Sequence, residues 1–516
     1  MAVASRLIPG GSHRPPLDRR LTRFYVKCSL YFQFSKINYM DRASDKPGVT
    51  AARAAGSTAE SAVAPILARE LARELTHEDI DRARDRWRVA QARRKGRGAG
   101  RFRWLIVFWL LVGPGVLVFL GENDAPSMLS YAATGARFGI GFFLPFVLLT
   151  FLMGFVVQDM TARLGAVTHH GHAELIFDRF GTFWGFFAMS DLVLGNFLTL
   201  VTEFIGIRAG LGFFGIRPSI AVGISLLGVL GAIATGRYWT WERITLGLAL
   251  FNAVFIPAAL LAHPAWSEVG HAFLTWTPLP SGRWSDILLL ILSDIGATVT
   301  PWMLFFQQSA VVDKGIQPRD IPAARIDTLL GTILASTFGI AAILATVPLF
   351  RHGISASDFQ AAQFAQALEP WIGHVGAALF ALGIFEAGIV AAVTISTSSA
   401  YAFGEALHTG HSLNRPVREA WPFYLVLAGS ACLAAGLVLI PGAPLEFIIL
   451  TVNVIAVLAM PPALAFLLLL VNDREVMGTY VNGFWENLAG VTVGVLLVCA
   501  GLGYGLAIVF PRFLGG

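Results

Sequence analysis

Two short polar segments interrupt apolar stretches of this sequence. The first, GENDAPSM at 121–128, places Asp124 two residues before Pro126. The second, SDIGATVTPWM at 293–303, combines an acid, hydroxyls and a glycine with Pro301. Because proline has no N–H and its ring clashes with the carbonyl four residues earlier, a helix must open at each segment. Freed carbonyls together with a carboxylate and hydroxyls form an oxygen shell that suits a hard divalent cation.

The composition predicts a protein that spans a membrane. Of 516 residues, 55% are hydrophobic and only 14% are charged, whereas about a quarter are charged in a soluble domain. Mean hydropathy is +0.65, and apolar runs long enough to cross a bilayer, about 20 residues, recur from residue 104 onward. The net charge of +5 does not suggest nucleic-acid binding, because the basic residues concentrate in the N-terminal tail and in short loops. The cysteines Cys28, Cys432 and Cys499 are too scattered to suggest a disulfide framework or a thiolate metal site.

The hydropathy pattern predicts an all-α polytopic protein with about eleven transmembrane helices. No apolar signal-peptide core precedes residue 104. The expected spans are 104–136, 139–162, 181–209, 219–236, 241–262, 285–311, 326–349, 373–403, 420–441, 443–471 and 484–510.

The chain then divides into five parts. We expect a disordered tail over 1–63, a cytosolic amphipathic helix with a basic flank over 64–103, a first repeat of five spans over 104–262, a second repeat over 285–471, and span eleven with the C-terminus over 484–516.

Basic residues favour a cytoplasmic N-terminus and an external C-terminus. With this orientation the cytoplasmic side carries the larger set: Arg163, Arg179, Arg237, Arg243, Lys314, Arg319, Arg325, Arg415, Arg418 and Arg474. The external side carries the smaller set: Arg137, Arg208, Arg217, Arg283, Arg351 and Arg512.

The two interruptions fall in the first helix of each predicted half. Interrupted segments in corresponding positions are the best sequence pointer to a transporter site between inverted repeats. Acids at membrane depth are functional candidates. One alternative is that Asp124 is neutralised and serves only helix packing, and another is that Glu122 faces an outer vestibule as a solvated residue.

The chain resembles the Nramp (natural resistance-associated macrophage protein) family of divalent-metal transporters over about 112–480. GPGVLVFLGENDAPS resembles the family's first helix, which places Asp124 on the family's metal-binding aspartate and Ser127 on its asparagine. TEFIG places Glu203 on the membrane glutamate of the third helix, and ILTVNVIAVLAMP places Asn453 where many members carry a coordinating glutamine. The resemblance implies a leucine-transporter-like inverted-repeat (5+5) fold with broken helices 1 and 6, and inward uptake of divalent metal.

GATVTPWMLFFQQS is similar to the family's sixth-helix segment but departs from it. The family methionine, a soft thioether, is Thr300 here, which predicts better tolerance of Mg²⁺ relative to Mn²⁺, Fe²⁺ or Cd²⁺. The family histidine is Trp302, a later histidine is Gln307, and the proton-pathway aspartate is Leu200. With these titratable groups absent, we expect weak or absent proton coupling and a closer likeness to the Nramp-related magnesium transporters.

The candidate site follows from the interruptions and the resemblance together. The candidate metal ligands are Asp124, Ser127, Ala297, Thr300 and Asn453, with Glu122 and Asp294 as acceptors for the waters of a partly hydrated ion. The candidate coupling or gating residues are Glu203, Trp302 and Gln307.

Three other groups of residues have a structural and a functional interpretation. Asn196, Thr199 and Glu203 share one helix face, which suits an interhelical polar network as well as a site. Glu386 and the TISTSS run at 394–399 are more typical of helix packing. HHGH at 169–172 could suggest metal, but it lies in a short loop.

The predicted function is inward transport of Mg²⁺, with Mn²⁺ as a further substrate, through a cell (plasma or inner) membrane by alternating access. One alternative is a proton-coupled Mn²⁺/Fe²⁺ transporter, and another is an amino-acid transporter on the same fold. No nucleophile–base pair or zinc signature indicates an enzyme. We expect no resident cofactor and no nucleic-acid partner.

Overall fold

The computed structural model describes residues 113–509, apart from 234–236, 277–278, 280–283, 355–360, 408–411, 416 and 441–444. The predicted tail (1–63), the amphipathic helix with its basic flank (64–103), the beginning of the first span and the last seven residues lie outside the described residues.

The described residues form helices and contain no strand. In chain order they are α1 (Pro114–Glu122), α2 (Ala125–Phe138), α3 (Phe143–Thr168), α4 (His172–Phe180), α5 (Thr182–Gly212), α6 (Pro218–Ile233), α7 (Tyr238–Ala249), α8 (Phe255–Leu261), α9 (Trp266–Thr275), α10 (Trp284–Gly296), α11 (Pro301–Lys314), α12 (Ile321–Arg351), α13 (Ala361–Ala406), α14 (Trp421–Val438), α15 (Leu445–Asn472), α16 (Arg474–Met477) and α17 (Phe484–Val509). Short 3₁₀ turns occupy Leu250–Val254, Pro318–Asp320 and Gly478–Tyr480.

Nine helical stretches within the described residues are long and apolar enough to cross a membrane. The other two predicted spans correspond to α6, which has 16 residues, and to the pair α1 and α2, which have 9 and 14. The expected all-α polytopic membrane protein is confirmed, whereas the count of eleven and the repeat remain predictions.

Both predicted helix interruptions are present. The first helix ends at Glu122 and resumes at Ala125, with Pro126 in the first turn of α2. The second ends at Gly296 and resumes at Pro301, after an extended Thr300. Proline is well suited to a first helical turn, where its missing N–H would have no helical partner. The break in each helix therefore follows directly from its proline.

Long helices hold the interrupted ones in place. Helix α12 packs against α1, α2 and α3, and α13 packs along α5. Large apolar side chains such as Leu194, Leu227 and Leu502 remain more than 60% exposed. In a membrane protein this exposed apolar surface suits contact with lipid tails, so the polar groups of the interior are the unusual feature.

Candidate functional site

A group of polar side chains surrounds the first interruption. We call Glu122, Asp124, Ser127, Glu203 and Thr300 the central cluster. All five are buried, with exposed fractions from 0% to 5%. They come from α1, α2, α5 and the segment before α11. Residues far apart in sequence therefore converge at one place inside the helical bundle.

Asp124 begins α2 and contacts Glu203. Its carboxylate accepts a hydrogen bond from the Ser127 N–H at 2.8 Å and so caps the helix. The Ser127 hydroxyl lies beside the same carboxylate. Glu203 Oε2 accepts from the Ala125 N–H at 3.1 Å, and its carboxyl group lies beside that of Asp124. The helix start therefore holds two acids together.

Glu122 and Thr300 connect the two interruptions directly. The Thr300 hydroxyl donates to Glu122 Oε2 at 2.8 Å. Glu122 has no exposed surface, so the alternative of a solvated residue in an outer vestibule is wrong. The indole of Trp302 lies beside the Glu122 carboxyl group, and a Cβ at Gly121 would be 3.3 Å from that ring. The two breaks thus face each other at side-chain contact distance.

The central cluster contains more negative charge than its protein surroundings neutralise. None of its three acids forms an ion pair with a lysine or arginine in the described part of the chain, and Glu203 Oε1 receives no hydrogen bond there. Burying several carboxylates without positive charge is costly. Protons or a bound cation can supply that charge.

Asp294 and Ala297 already have protein partners in α2. The Asp294 carboxylate accepts from the hydroxyls of Ser130 at 2.7 Å and Thr134 at 3.0 Å. The Ala297 carbonyl accepts from the Tyr131 hydroxyl at 2.9 Å. These bonds join the end of α10 to α2, so any contact with an ion would add to a packing role.

Asn453 and Gln307 make contacts with different helices. The Asn453 amide nitrogen is 3.4 Å from both the Pro126 carbonyl and the Ser293 hydroxyl, which places it beside the first interruption. Gln307 instead donates to the Thr328 hydroxyl at 3.0 Å and connects α11 to α12.

A cavity reaches the second interruption from the side of α5 and α15. Asp191, Asn196 and Thr199 line it together with Thr300 and Trp302. Asn196 also donates to the Ser399 hydroxyl at 2.9 Å, which agrees with a role in interhelical packing. The cavity therefore places Thr300 and Trp302 of the second interruption beside an open space that α5 and α15 also line.

The described residues contain no set of three or more His, Cys, Asp or Glu side chains arranged to hold a metal ion. A cation in the central cluster would therefore need neutral oxygens besides carboxylates. In the HHGH run, His172 is fully buried, and its Nδ1 lies 2.8 Å from Gln308 Oε1. Burial lowers the pKa of His172 to about 4, so the neutral ring serves packing.

A second polar group surrounds the start of α1. We call Glu242, Lys314, Asp327 and the backbone of 113–116 the clamp cluster. Asp327 accepts from the N–H groups of Gly113 at 2.9 Å, Gly115 at 2.7 Å and Val116 at 3.2 Å. Since the first N–H groups of a helix lack helical partners, this one carboxylate satisfies three of them.

The fully buried Lys314 completes the clamp cluster. Its ammonium donates to both oxygens of Glu242, at 3.0 and 3.1 Å, and the Tyr238 hydroxyl donates to Glu242 at 3.0 Å. Lys314 was counted among the cytoplasmic basic residues, and its burial was not predicted, because counting charges locates a residue only along the chain. The only sequence signal for the clamp cluster was the Gly–Pro–Gly start of the first helix. Glycine is needed at Gly113 because a Cβ there would collide with the Glu242 carboxylate.

Comparison with known proteins agrees with this architecture. The family model described as Nramp, natural resistance-associated macrophage protein-like, matches residues 115–507. The divalent metal cation transporter MntH of Pectobacterium carotovorum is 27% identical over 409 residues, which are 75% of this chain and 92% of that protein. MntH 1 of Pseudomonas aeruginosa is 28% identical, over 76% of this chain and 90% of its own length.

Solved structures share the fold. The Eremococcus coleocola manganese transporter superposes with a TM-score of 0.61 at 21% identity, covering 80% of this chain and 88% of that one. A Na⁺-coupled sialic acid symporter gives a TM-score of 0.51 at 15% identity, over 77% and 90% of the two chains. The predicted leucine-transporter-like fold is thereby confirmed. Since the family model covers most of the sequence, the chain belongs to the natural resistance-associated macrophage protein-like (Nramp) family.

Proposed function

We propose that this protein is a transporter of divalent metal cations that carries them inward across the cell membrane by alternating access. The observation that carries the proposal is the proximity of Asp124 and Glu203 at the interrupted first helix, in a buried cluster that pairs with no lysine or arginine among the described residues. Family membership and the metal-cation transporters among the relatives support it.

In this proposal the interrupted helices supply a shell of oxygens. Asp124 provides charge, Ser127 and Thr300 provide hydroxyls, Asn453 provides an amide oxygen and Ala297 its carbonyl. The carbonyls of the last turn of α1, which a helix end leaves largely without helical partners, come directly before Asp124 in the chain. Glu122 and Asp294 would accept hydrogen bonds from waters on the ion, and Mg²⁺ usually keeps several of its waters.

We assign Mg²⁺ as the main substrate and Mn²⁺ as a further one. Thr300 occupies the position at which the resemblance expects a thioether, and its hydroxyl is a hard ligand held by Glu122. Soft ligands select softer transition metals, whereas carboxylate, carbonyl and water suit Mg²⁺ and Mn²⁺. The alternative, a proton-coupled Mn²⁺ or Fe²⁺ transporter, draws its support from the manganese transporter that shares the fold.

We further propose that proton coupling is weak or absent. Leu200 is fully buried and Trp302 nearly so, at positions where the resemblance expects an aspartate and a histidine. Neither side chain can carry a proton. We place Glu203, Trp302 and Gln307 in gating, with the N-terminus cytoplasmic and the C-terminus external.

Ion uptake into proteoliposomes that contain a pH-sensitive dye tests this function. We expect Mg²⁺ entry in the native protein, little associated acidification, and loss of entry in Asp124→Ala. Glu268→Gln is a matched control, because the Glu268 side chain is 61% exposed and its ion pair in the described part of the chain is with Arg351 at the surface. Absence of both Mg²⁺ and Mn²⁺ entry in the native protein would favour the organic-solute alternative.

Thr300→Met tests selectivity separately from transport. A thioether in place of the hydroxyl should raise Mn²⁺ or Cd²⁺ uptake relative to Mg²⁺ uptake. An unchanged ratio would show that Thr300 does not set selectivity. Metal entry accompanied by strong acidification would favour the proton-coupled alternative.

A further inference from the structure

Two buried polar side chains that do not belong to the central cluster lie on α13 and on the stretch formed by α7, a 3₁₀ turn and α8. Glu386 in α13 is 5% exposed, and neither carboxylate oxygen has a hydrogen-bond partner among the described residues. Asn252, in the 3₁₀ turn Leu250–Val254, is fully buried, and its amide nitrogen and oxygen likewise lack partners in the described structure. Such atoms are rare in native proteins and need an explanation.

Contacts before and after Asn252 in the chain determine how the stretch from α7 to α8 is aligned with α13. The Phe255 ring meets Phe380 edge-on with centroids 5.5 Å apart, and a Cβ at Gly383 would lie 2.6 Å from the same ring. Farther back along the chain, the Tyr238 N–H donates at 3.1 Å to Asn414, which follows the end of α13. The two elements therefore run antiparallel.

This alignment brings Asn252 and Glu386 opposite each other. Asn252 precedes Phe255 by three residues, and positions three apart in a 3₁₀ turn lie on one face. Glu386 follows Gly383 by three residues, and such positions also neighbour each other on an α-helix. Since Phe255 packs on Gly383 and the elements are antiparallel, the carboxyl and carboxamide groups occupy the same level of this contact.

No cation from the neighbouring helices pairs with Glu386 in the described structure. The elements α6, α8 and the 3₁₀ turn contain no titratable side chain. From α5, Glu203 faces Ala125, and Arg208 donates to the Val438 carbonyl. From α7, Glu242 pairs with Lys314, and the Arg243 guanidinium lies 5.7 Å from the centroid of the Trp239 ring.

On α14, the titratable groups are also turned elsewhere. Tyr424 donates to the Arg415 carbonyl at 2.9 Å, and Cys432 is exposed. Among the described residues, the Asn252 amide is the polar group that the antiparallel alignment places at the level of Glu386.

We infer that Glu386 and Asn252 form a proton-binding site in which the neutral carboxylic acid and the carboxamide hydrogen-bond to each other. The Glu386 O–H would donate to Asn252 Oδ1, and Asn252 Nδ2 would donate to the acid's carbonyl oxygen, after rotation of both side chains. An unpaired carboxylate in an apolar interior is far more costly than a hydrogen-bonded neutral acid. A hard metal cation would need about six or more oxygens, and this pair presents three.

This inference does not rest on the proposed function, because no residue of the central cluster takes part in it. Infrared difference spectroscopy of the full-length protein in lipid, titrated with pH, detects the carbonyl band of a protonated carboxylic acid. We expect Glu386→Gln to remove the signal of one such acid and Asn252→Leu to shift its frequency. Glu369→Gln, at an exposed position, is the matched control and should leave the band unchanged.

Two results would overturn the inference. One is a band unaltered by Glu386→Gln in protein that elutes like the native form. The other is a band that disappears when choline is replaced by Na⁺ at constant pH, since an alkali ion would then occupy the site. Metal uptake measured on the same variants keeps this test separate from the transport proposal: loss of the band with uptake retained supports the proton site alone.

Discussion

The central cluster and the clamp cluster both bury acids beside α1, but they differ in how those acids are satisfied. In the clamp cluster, Asp327 accepts three N–H groups and Glu242 binds an ammonium. In the central cluster, Asp124 and Glu203 contact each other, and no lysine or arginine of the described chain pairs with them. A satisfied buried acid stabilises the fold, whereas an incompletely compensated one is available to an ion. We therefore expect substitutions in the clamp cluster to lower the stability of the fold strongly, and substitutions in the central cluster to stop metal uptake with little loss of stability.

The largest loss of stability should come from Asp327→Ala. It leaves three buried N–H groups at the start of α1 without an acceptor, and each such group costs about 1–3 kcal/mol. Thermal unfolding of the purified protein in detergent measures the loss. Asp327→Asn keeps one oxygen acceptor, so its melting temperature should lie between those of the native protein and Asp327→Ala. Equal melting temperatures for Asp327→Ala and the native protein would show that the clamp cluster does not stabilise the fold.

Lys314→Met should destabilise the protein by about 3–5 kcal/mol, because it leaves Glu242 buried without its cation. The double variant Lys314→Met with Glu242→Leu removes both charges and should recover much of this loss. The same unfolding assay compares the two. If the double variant is as unstable as the single one, shape and not charge holds this pair.

His172 provides a pH-dependent test on a smaller scale. Burial keeps its pKa near 4 in the folded protein, below the ordinary value of about 6.5. Above pH 6.5 both states are neutral. As pH falls toward 4 only the unfolded state gains the proton, so stability is lost by up to about 1.4 kcal/mol per pH unit.

Unfolding measured across that pH range tests the slope, and His172→Gln is its control. The substitution should flatten the curve by the contribution of one group. A slope that persists unchanged in His172→Gln would assign it to other residues.

Asp124→Ala should have the smallest effect on stability and yet stop metal uptake. It removes a helix N-cap, which costs about 0.5–2 kcal/mol, but it also relieves the crowding of acids near Glu203. The net change in melting temperature should therefore be small. A loss of stability as large as that of Asp327→Ala would mean that both clusters serve the fold.

The sequence predicted the parts of the molecule that depend on local chemistry. Pro126 and Pro301 each open a helix whatever the tertiary contacts around them, so both interruptions could be located from the sequence. Asp124, Glu203 and Thr300 were also selected, through the resemblance to a family. The predicted inverted repeat leads one to expect that these three residues lie close together, whereas their spacing along the chain does not.

The rest depended on contacts between distant helices. Asp327 lies more than two hundred residues from the N–H groups it binds, and nothing near it in sequence indicates them. Lys314 stands at a helix end, where a cation is usually solvated. Asn252 became informative only once the alignment with α13 placed it beside Glu386.

Helix α12 has a mechanical consequence for the two interrupted helices. Asp327 holds the beginning of α1, and the next residue, Thr328, accepts a hydrogen bond from Gln307 of α11. Adjacent residues of α12 thus hold α1 and α11. If the interrupted helices move in the proposed alternating access, we expect α12 to transmit a displacement of α1 to α11, because the two are bonded to neighbouring residues of the same helix.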